Sequence, residues 1–432
     1  MCAETLVILL FLSALCVCIL TGLNVLAALS FGFCCLFGYC LYKGHPFKEI
    51  LSMFLEGMLR VKNILLLFLL IGCLTATWRL SGTIPWIIVH SLQIVQPTSF
   101  IPCCFLLCCL MSFLTGTSFG TASTMGVLCM LIAASAGLDL RLTGGAVLSG
   151  CFFGDRCSPM SSSAQLVCTL TKTDIYSNIR GMLRTGLIPF VLTALLYLLL
   201  GSGQDFVLDL KFATQLEASF ALPLLCVLPA VLILVLSLFR VNVKLSMLCS
   251  ILAAAACALF IEGCSVPELL AALWQGYRAS DPELAALMNG GGIASMLQVS
   301  AIVLLSSSFS GVFSHTGLLD GVKGLLTRLG RRIGSFGTVI CTSVLTGAIS
   351  CNQSLGTILT AQLCEGFYTS SAELALALEN SIIVIAALIP WSIAGAVPVA
   401  TIGAPQSCLL FAFFLYLVPA WNLVTSLIHH GH

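Results

Sequence analysis

Three polar segments interrupt an otherwise apolar chain, and they hold the residues able to do chemistry. The first, Thr115–Gly126, packs six hydroxyl residues and three glycines between the apolar runs Ile101–Leu114 and Val127–Ala136. Glycine lets a helix unwind or a second backbone approach. Hydroxyl oxygens then satisfy the freed carbonyls or ligate a hard cation, with Thr117, Ser118 and Thr121 as candidates. Close helix packing through small residues is the competing reading. The second segment, Ser149–Ser163, sets Asp155 and Arg156 between apolar Gly144–Phe153 and a polar stretch containing Pro159. An ionisable residue at membrane depth is a functional candidate by default. Pro159 has no N–H and helps expose the carbonyls before it, beside Ser158. The plainer alternative is a surface loop in which an Asp-Arg pair costs little. The third segment runs Ser350–Thr357, with Asn352 and Gln353, then Ala377–Ser381, then Leu388–Ser392 with Trp391. Glu379 is the only carboxylate after Glu373. Beside it, Asn380 and Ser381 offer an amide and a hydroxyl to share a cation or a proton; a water-capped helix end is the bland version.

These segments need a scaffold, and composition names it. Of 432 residues 59% are hydrophobic and 8% charged, against roughly 25% charged in a soluble domain. Such a chain cannot cover a soluble core with a solvated surface, and it is too apolar for disorder. A net charge of +1 leaves no electrostatic footprint for nucleic acid. The remaining partner is a lipid bilayer. Apolar runs such as Ile64–Ala76, Met182–Leu200, Phe220–Phe239 and Leu245–Ile261 are continuous rather than alternating, which predicts helices and not a barrel. The fold class expected is an all-α polytopic membrane protein of roughly 10 to 13 spans. The run Leu6–Leu20 lacks a basic n-region and reads as a retained first span. The 23 cysteines sit in apolar runs, as in Cys34-Cys35 and Cys108-Cys109, and read as packing residues with no metal or cofactor.

Lys and Arg gather in a few loops: Lys43 to Lys62, Lys172 to Arg184, Arg240 with Lys244, and Lys323 to Arg332. Cytoplasmic loops collect such residues, and placing all four groups inside gives a consistent walk with a cytoplasmic N-terminus. Two stretches also resemble each other. Gly82 and Gly317 are 235 residues apart, and Gly120-Thr121 and Gly356-Thr357 are 236 apart. In the charge walk their spans run in opposite directions, which predicts an inverted repeat with broken helices. The division expected is 1–46 for N-terminal helices, 47–200 for a first repeat, 201–267 for linking helices and 268–432 for a second. Gly290-Gly291-Gly292 reads as a flexible entry to the next span, Phe47–Met58 as an interfacial helix and His429, His430 and His432 as a polar tail. Gly116-Thr117-Ser118-Phe119-Gly120 matches the G-x-S-x-G elbow of hydrolases, but that motif needs a preceding strand and an oxyanion loop. No enzyme is expected.

The three segments, in this order and spacing, resemble the NhaC-type sodium/proton antiporter family of the wider ion transporter superfamily. The residues that carry the resemblance are Gly116–Thr121, Gly150–Pro159 and Leu378–Ser381 with Leu388–Trp391, spread over about residues 47 to 420. The resemblance implies broken-helix inverted repeats in a cell membrane, with sodium ions and protons as cargo and room for a homo-oligomer. It puts Asp155, Glu379, Asn352, Asn380 and Ser381 at the ion or proton site. Thr117, Ser118, Thr121, Arg156, Ser158, Gln353 and Trp391 fall at substrate or helix-break positions. The departures are specific. Ser162, Asn352 and Asn380 stand where the family commonly has Asp, Gln165 and Ser392 where it has Asn, and Ala386-Ala387 at the second Ser-Pro. Fewer carboxylates weaken a cation site, which keeps a second reading open: exchange of small organic acids or amino acids, with Arg156 pairing a substrate carboxylate.

Overall fold

The structure is a computed structural model describing residues 3–21, 25–91, 97–202, 210–239, 241–279, 281, 284–285, 288–316 and 323–430. Gly317, Leu318, Arg240, Asp205, Asp209, Glu283 and His432 lie outside them, as do the side chains of His315, Lys323, Arg328, Arg331, Arg332, His429 and His430. The described chain is helical, with one isolated β-bridge, Tyr277 to Gly290. In order the helices are α1 Ala3–Thr21, α2 Val25–Tyr42, α3 Phe47–Leu59, α4 Lys62–Leu80, α5 Thr83–Ser91, α6 Pro97–Thr115 and α7 Ser118–Thr121. They continue through a π-turn into α8 Val127–Ser135, then α9 Leu140–Cys157, α10 Ser162–Thr171, α11 Ile175–Gly201, α12 Leu210–Ser219, α13 Leu228–Leu238, α14 Val243–Phe260 and α15 Val266–Gln275. The last seven are α16 Leu297–Thr316, α17 Lys323–Ser350, α18 Gln353–Cys364, α19 Ser371–Glu379, α20 Ile382–Ile385, α21 Ile393–Thr401 and α22 Phe413–His430.

Nine helical stretches among the described residues are long and apolar enough to cross a bilayer, and two shorter apolar ones join them. Their outer faces are Leu- and Val-rich. In α11, Leu183, Leu187, Val191, Leu195 and Leu199 are all exposed, as a lipid-facing helix requires. The chain is a multi-pass membrane protein.

Two backbone breaks recur at one offset. After α6, Gly116 takes φ +68 and Thr117 is extended at φ −145, ψ 125 before α7 begins at Ser118. After α17, Cys351 takes φ +53 and Asn352 is extended at φ −142, ψ 126 before α18 begins at Gln353. The pairs are 235 residues apart, the spacing between Gly82 and Gly317. A second break also recurs. Ser158 (φ −84, ψ 137) and Ser161 (φ −69, ψ 128) flank Pro159, and Ile389 (φ −87, ψ 113) and Ser392 (φ −70, ψ 143) flank Pro390. The counterpart of Ser158-Pro159 is therefore Ile389-Pro390, not the Ala386-Ala387 pair that the family resemblance suggested. Helix α16 runs antiparallel to α3, its Ser307 against Gly57 and its Gly311 against Met53. The turn ahead of α16 is bonded to the middle of α4 (Gly292 N–H to Gly72 O, 2.8 Å).

The triple glycine is a correction. Gly290, Gly291 and Gly292 all have positive φ (131, 78 and 78). A Cβ on Gly291 would lie 2.7 Å from Ala76 N and one on Gly292 2.2 Å from Gly276 N. Glycine is needed for a close backbone approach to α4, so the segment is a tightly packed turn and not a flexible entry.

Candidate functional site

Helix α9 delivers Asp155 and Arg156, and its packing explains where they land. Gly150 and Gly154, one turn apart, face α6. A Cβ on Gly154 would lie 2.0 Å from Ser112 C, and one on Gly150 2.5 Å from Cys108 Cβ. Small residues at this spacing let two helices touch backbone to backbone. Ser112 then bonds into α9, donating to Gly150 O (2.7 Å) and accepting from Gly154 N–H (2.9 Å). The helix ends one turn later, and Ser158 Oγ donates back to Phe113 O (2.7 Å). Asp155 and Arg156 are thereby held fully inside the bundle.

Asp155 sits where the two recurring breaks meet. Its carboxylate accepts from Gln353 Nε2 at 3.2 Å and from Ser163 Oγ at 3.3 Å. Ser161 Oγ lies 3.4 Å away, and the Ser118 hydroxyl is also in hydrogen-bonding reach. Ser118 and Gln353 are the first residues of α7 and α18, the same position in each hairpin. Gln353 also donates to Ile383 O in α20 (3.0 Å) and accepts from Ser163 Oγ (3.4 Å). One carboxylate and four neutral oxygens thus converge, the donor set that a hard cation prefers.

Arg156 turns the other way. Its Nη2 donates to Met182 O (2.9 Å) and Thr185 Oγ1 (3.0 Å) on α11 and to Asn380 Oδ1; its Nη1 contacts Cys157 Sγ (3.3 Å). Gly186 makes room, because a Cβ there would lie 2.6 Å from Nη1. Thr185 is ten residues from one end of the 27-residue α11 and sixteen from the other, roughly 15 and 24 Å at 1.5 Å per residue. The pair is buried inside the helix bundle against the interior of α11, and not in an exposed loop. Glu379, the last residue of α19, is completely buried, and neither of its oxygens has a hydrogen-bond partner. Arg156 and Asp155 are the charges that act on it.

The remaining expected residues shape the breaks. Thr117 caps α7 by accepting from Gly120 N–H (3.4 Å), and Thr121 Oγ1 donates to Thr117 O (3.0 Å). Asn352 caps α18 through Ser354 and Leu355 N–H (2.9 and 3.2 Å). Ser381 Oγ donates to Ala377 O (2.6 Å) and accepts from Ser343 Oγ (3.1 Å). Trp391 Nε1 donates to Ala348 O (2.9 Å). None of these contacts is to Asp155 or Arg156. Sequence reasoning missed Ser161, Ser163 and Thr185. The first two were within reach, since they flank Ser162, which is exposed and points away. The hydrolase elbow loses its context here: Gly116–Gly120 joins two helices, and Ser118 faces Asp155.

A cavity of about 340 Å³ reaches this region, lined by Thr185, Tyr368, Glu373, Asn380, Asn422 and Thr425 among others. Broken helices around a buried, charged centre in a multi-pass bundle define the secondary-transporter class of membrane protein. Comparison with known sequences names the family. The profile of the Na+/H+ antiporter family matches residues 2–164 and 150–429, and the chain belongs to that family. It is similar to the Na+/H+ antiporter NhaC of Alkalihalophilus pseudofirmus, 29% identical over 87% of this chain and 84% of that protein. It is similar also to the malate-2H+/Na+-lactate antiporter of Bacillus subtilis, 28% identical over 75% of this chain and 71% of that protein. The arginine/ornithine antiporter ArcD of Halobacterium salinarum is 24% identical over 86% of this chain and 80% of its own length.

Proposed function

We propose that this protein exchanges sodium ions for protons, with Asp155 as the group that both compete for. The observation carrying the proposal is the seat of Asp155 between Ser118 and Gln353, equivalent residues of the two break hairpins. An unneutralised carboxylate at this depth is costly. A sodium ion held by Asp155 with the Ser118, Ser161, Ser163 and Gln353 oxygens removes the charge, and so does a proton; one excludes the other, which is the condition for antiport. Glu379 is the second carboxylate able to carry a proton, balanced by Arg156. Rocking of the hairpins about this centre would expose it to each side in turn, and the division into units 47–200 and 268–432 follows from their recurrence. The basic clusters support a cell-membrane protein with a cytoplasmic N-terminus.

The test is sodium-driven proton movement in proteoliposomes loaded with a pH dye, wild type beside Asp155→Asn. A sodium-dependent signal lost in the variant is expected, and coupling retained by Asp155→Asn refutes the assignment. One observation favours a second reading, exchange of small organic acids or amino acids. Arg156 is bonded to the neutral Asn380 and to Thr185, and both line the 340 Å³ cavity, so a substrate carboxylate entering there would reach the guanidinium by displacing one of these two neutral partners. Sodium-driven signal absent from folded wild type, with melting shifts from such a metabolite that persist in Arg79→Gln and vanish in Asn380→Asp, would establish this reading instead.

A further inference from the structure

We propose that Arg79 forms a second binding site, for a small carboxylate anion, in a cavity that shares no lining residue with the Asp155 centre. The cavity is about 260 Å³ and is lined by Thr75, Arg79, Ala134, Gly291, Ser295 and Thr401 among others, with no carboxylate among the described lining residues. Arg79 ends α4, where Nη1 donates to Thr75 O (3.0 Å). That bond uses one side of the guanidinium. On the other side the buried Nε has no acceptor, and Nη2 lies beside Gly290, 3.8 Å from where a Cβ would be. The edge formed by Nε and Nη2 is a two-donor fork matched to the two oxygens of a carboxylate. A guanidinium inside a low-dielectric bundle, with no ion-pair partner among the described residues, is costly, and a bound anion offsets that cost.

The other polar groups leave the guanidinium as the recognising element. Thr75 Oγ1 donates to Ile71 O (2.9 Å), Ser295 Oγ to Gly292 O (2.7 Å) and Thr401 Oγ1 to Val397 O (2.7 Å). Their protons are committed to backbone carbonyls, and the only charge among the described lining residues is positive, which disfavours a cation. The triple glycine builds one side. Its left-handed backbone, tied by Gly292 N–H to Gly72 O and by the Tyr277–Gly290 pair, lies across α4 at Ala76, within a turn of Arg79. A volume below the roughly 300–1,000 Å³ of drug-sized pockets fits an acid of a few heavy atoms and not a phospholipid headgroup with its chains. The opposite wall is α8, from Val127 to Ala134, and the end of α21, so an occupant bridges α4 to both.

The test is a melt of purified protein at fixed sodium, pH and ionic strength, with chloride replaced stepwise by acetate or lactate. A saturable rise in melting temperature is expected in wild type. Half-saturation is expected at roughly millimolar anion, given the limited affinity a few-atom ligand can reach. Arg79→Gln should abolish the rise, and Arg79→Lys, which keeps charge but loses the fork, should weaken it at least about tenfold. If Arg79→Gln does not fold, Ala134→Phe fills the cavity with Arg79 intact and should abolish the rise too. Arg141→Gln, a surface control, should keep it. The proposal fails if wild type shows no rise, if chloride gives the same one, or if it survives in both Arg79→Gln and Ala134→Phe. The readout needs no transport, so it stands or falls apart from the antiport proposal.

Discussion

Replacing Asp155 by Asn removes a charge while keeping the side chain's shape, and the structure sets the size of the effect. A sodium ion at about 2.5 Å from the carboxylate, at an effective dielectric of about 20, is attracted by roughly 6–7 kcal/mol. The asparagine oxygen still ligates, and the neighbouring hydroxyls are unchanged. If about half of the attraction is lost, the deficit of ~3 kcal/mol corresponds to ~100-fold weaker sodium binding. Folding should respond differently. The variant no longer buries a charge, while the bonds from Gln353 Nε2 and Ser163 Oγ become ordinary neutral ones. These effects oppose each other, so the melting temperature without sodium should stay within a few degrees of wild type. The assay is a sodium titration of the melting temperature, paired with dye-loaded proteoliposomes. Wild type should show a saturable sodium-dependent rise, and Asp155→Asn none below about 100 times the wild-type midpoint. A variant that binds sodium within about threefold of wild type would show that Asp155 does not ligate the ion.

Four further outcomes follow from the contacts around the site. Gly186→Ala places a methyl 2.6 Å from Arg156 Nη1; the displaced guanidinium should lose charge-assisted bonds at about 2–4 kcal/mol, read as a drop of several degrees in melting temperature together with lost transport. Asn352→Ala should cost about 1 kcal/mol through the lost cap on Ser354 and Leu355, whereas Asn352→Asp should melt and transport like wild type. Asn380→Asp sets a carboxylate directly on Arg156, so it should raise the melting temperature while abolishing any organic-acid stabilisation that remains in Arg79→Gln. At the α9 N-terminus, the Arg141 side chain bonded to Asp139 holds that carboxyl below its ordinary value of 3.8. A depressed value means stability that is present above pH 3.8 and lost as pH falls through the folded-state value, so the small gap in melting temperature between wild type and Asp139→Asn should close in acid.

How far the sequence could be read depended on the kind of signal. The membrane class followed from composition, because 8% charged residues admit no other solvent. The polar segments were visible as interruptions, and all three are helix breaks. Orientation within them was not visible. Asp155 and Ser163 face each other while Ser162 points outward, and only the extended turn at Ser158–Ser161 decides which of three adjacent serines reaches the carboxylate. The paired breaks were also hidden, since Gly116-Thr117-Ser118 and Cys351-Asn352-Gln353 share no residue type. What they share is a left-handed residue followed by an extended capping one, a backbone likeness carried by a different residue type at every position.

The same geometry changes what the missing family carboxylates mean. Ser162 and Gln165 are exposed, Gln165 bonding only back to Pro159 O (3.2 Å). An acid at 162 would therefore not have faced Asp155. Asn352 spends its oxygen on two backbone N–H groups of α18, a task that Asn and Asp perform about equally well. Asn380 alone touches the buried charges, and it touches Arg156 rather than Asp155. The oxygen cluster around Asp155 is thus complete without any of the replaced residues. The one replaced residue in contact with these charges lies on the Arg156 side, where the neutral Asn380 bonds the guanidinium that also acts on Glu379. On the proposed antiport reading, cation binding and the charge state of the Arg156–Glu379 pair would be separable, the first set by Asp155 and the two hairpins, the second by residue 380.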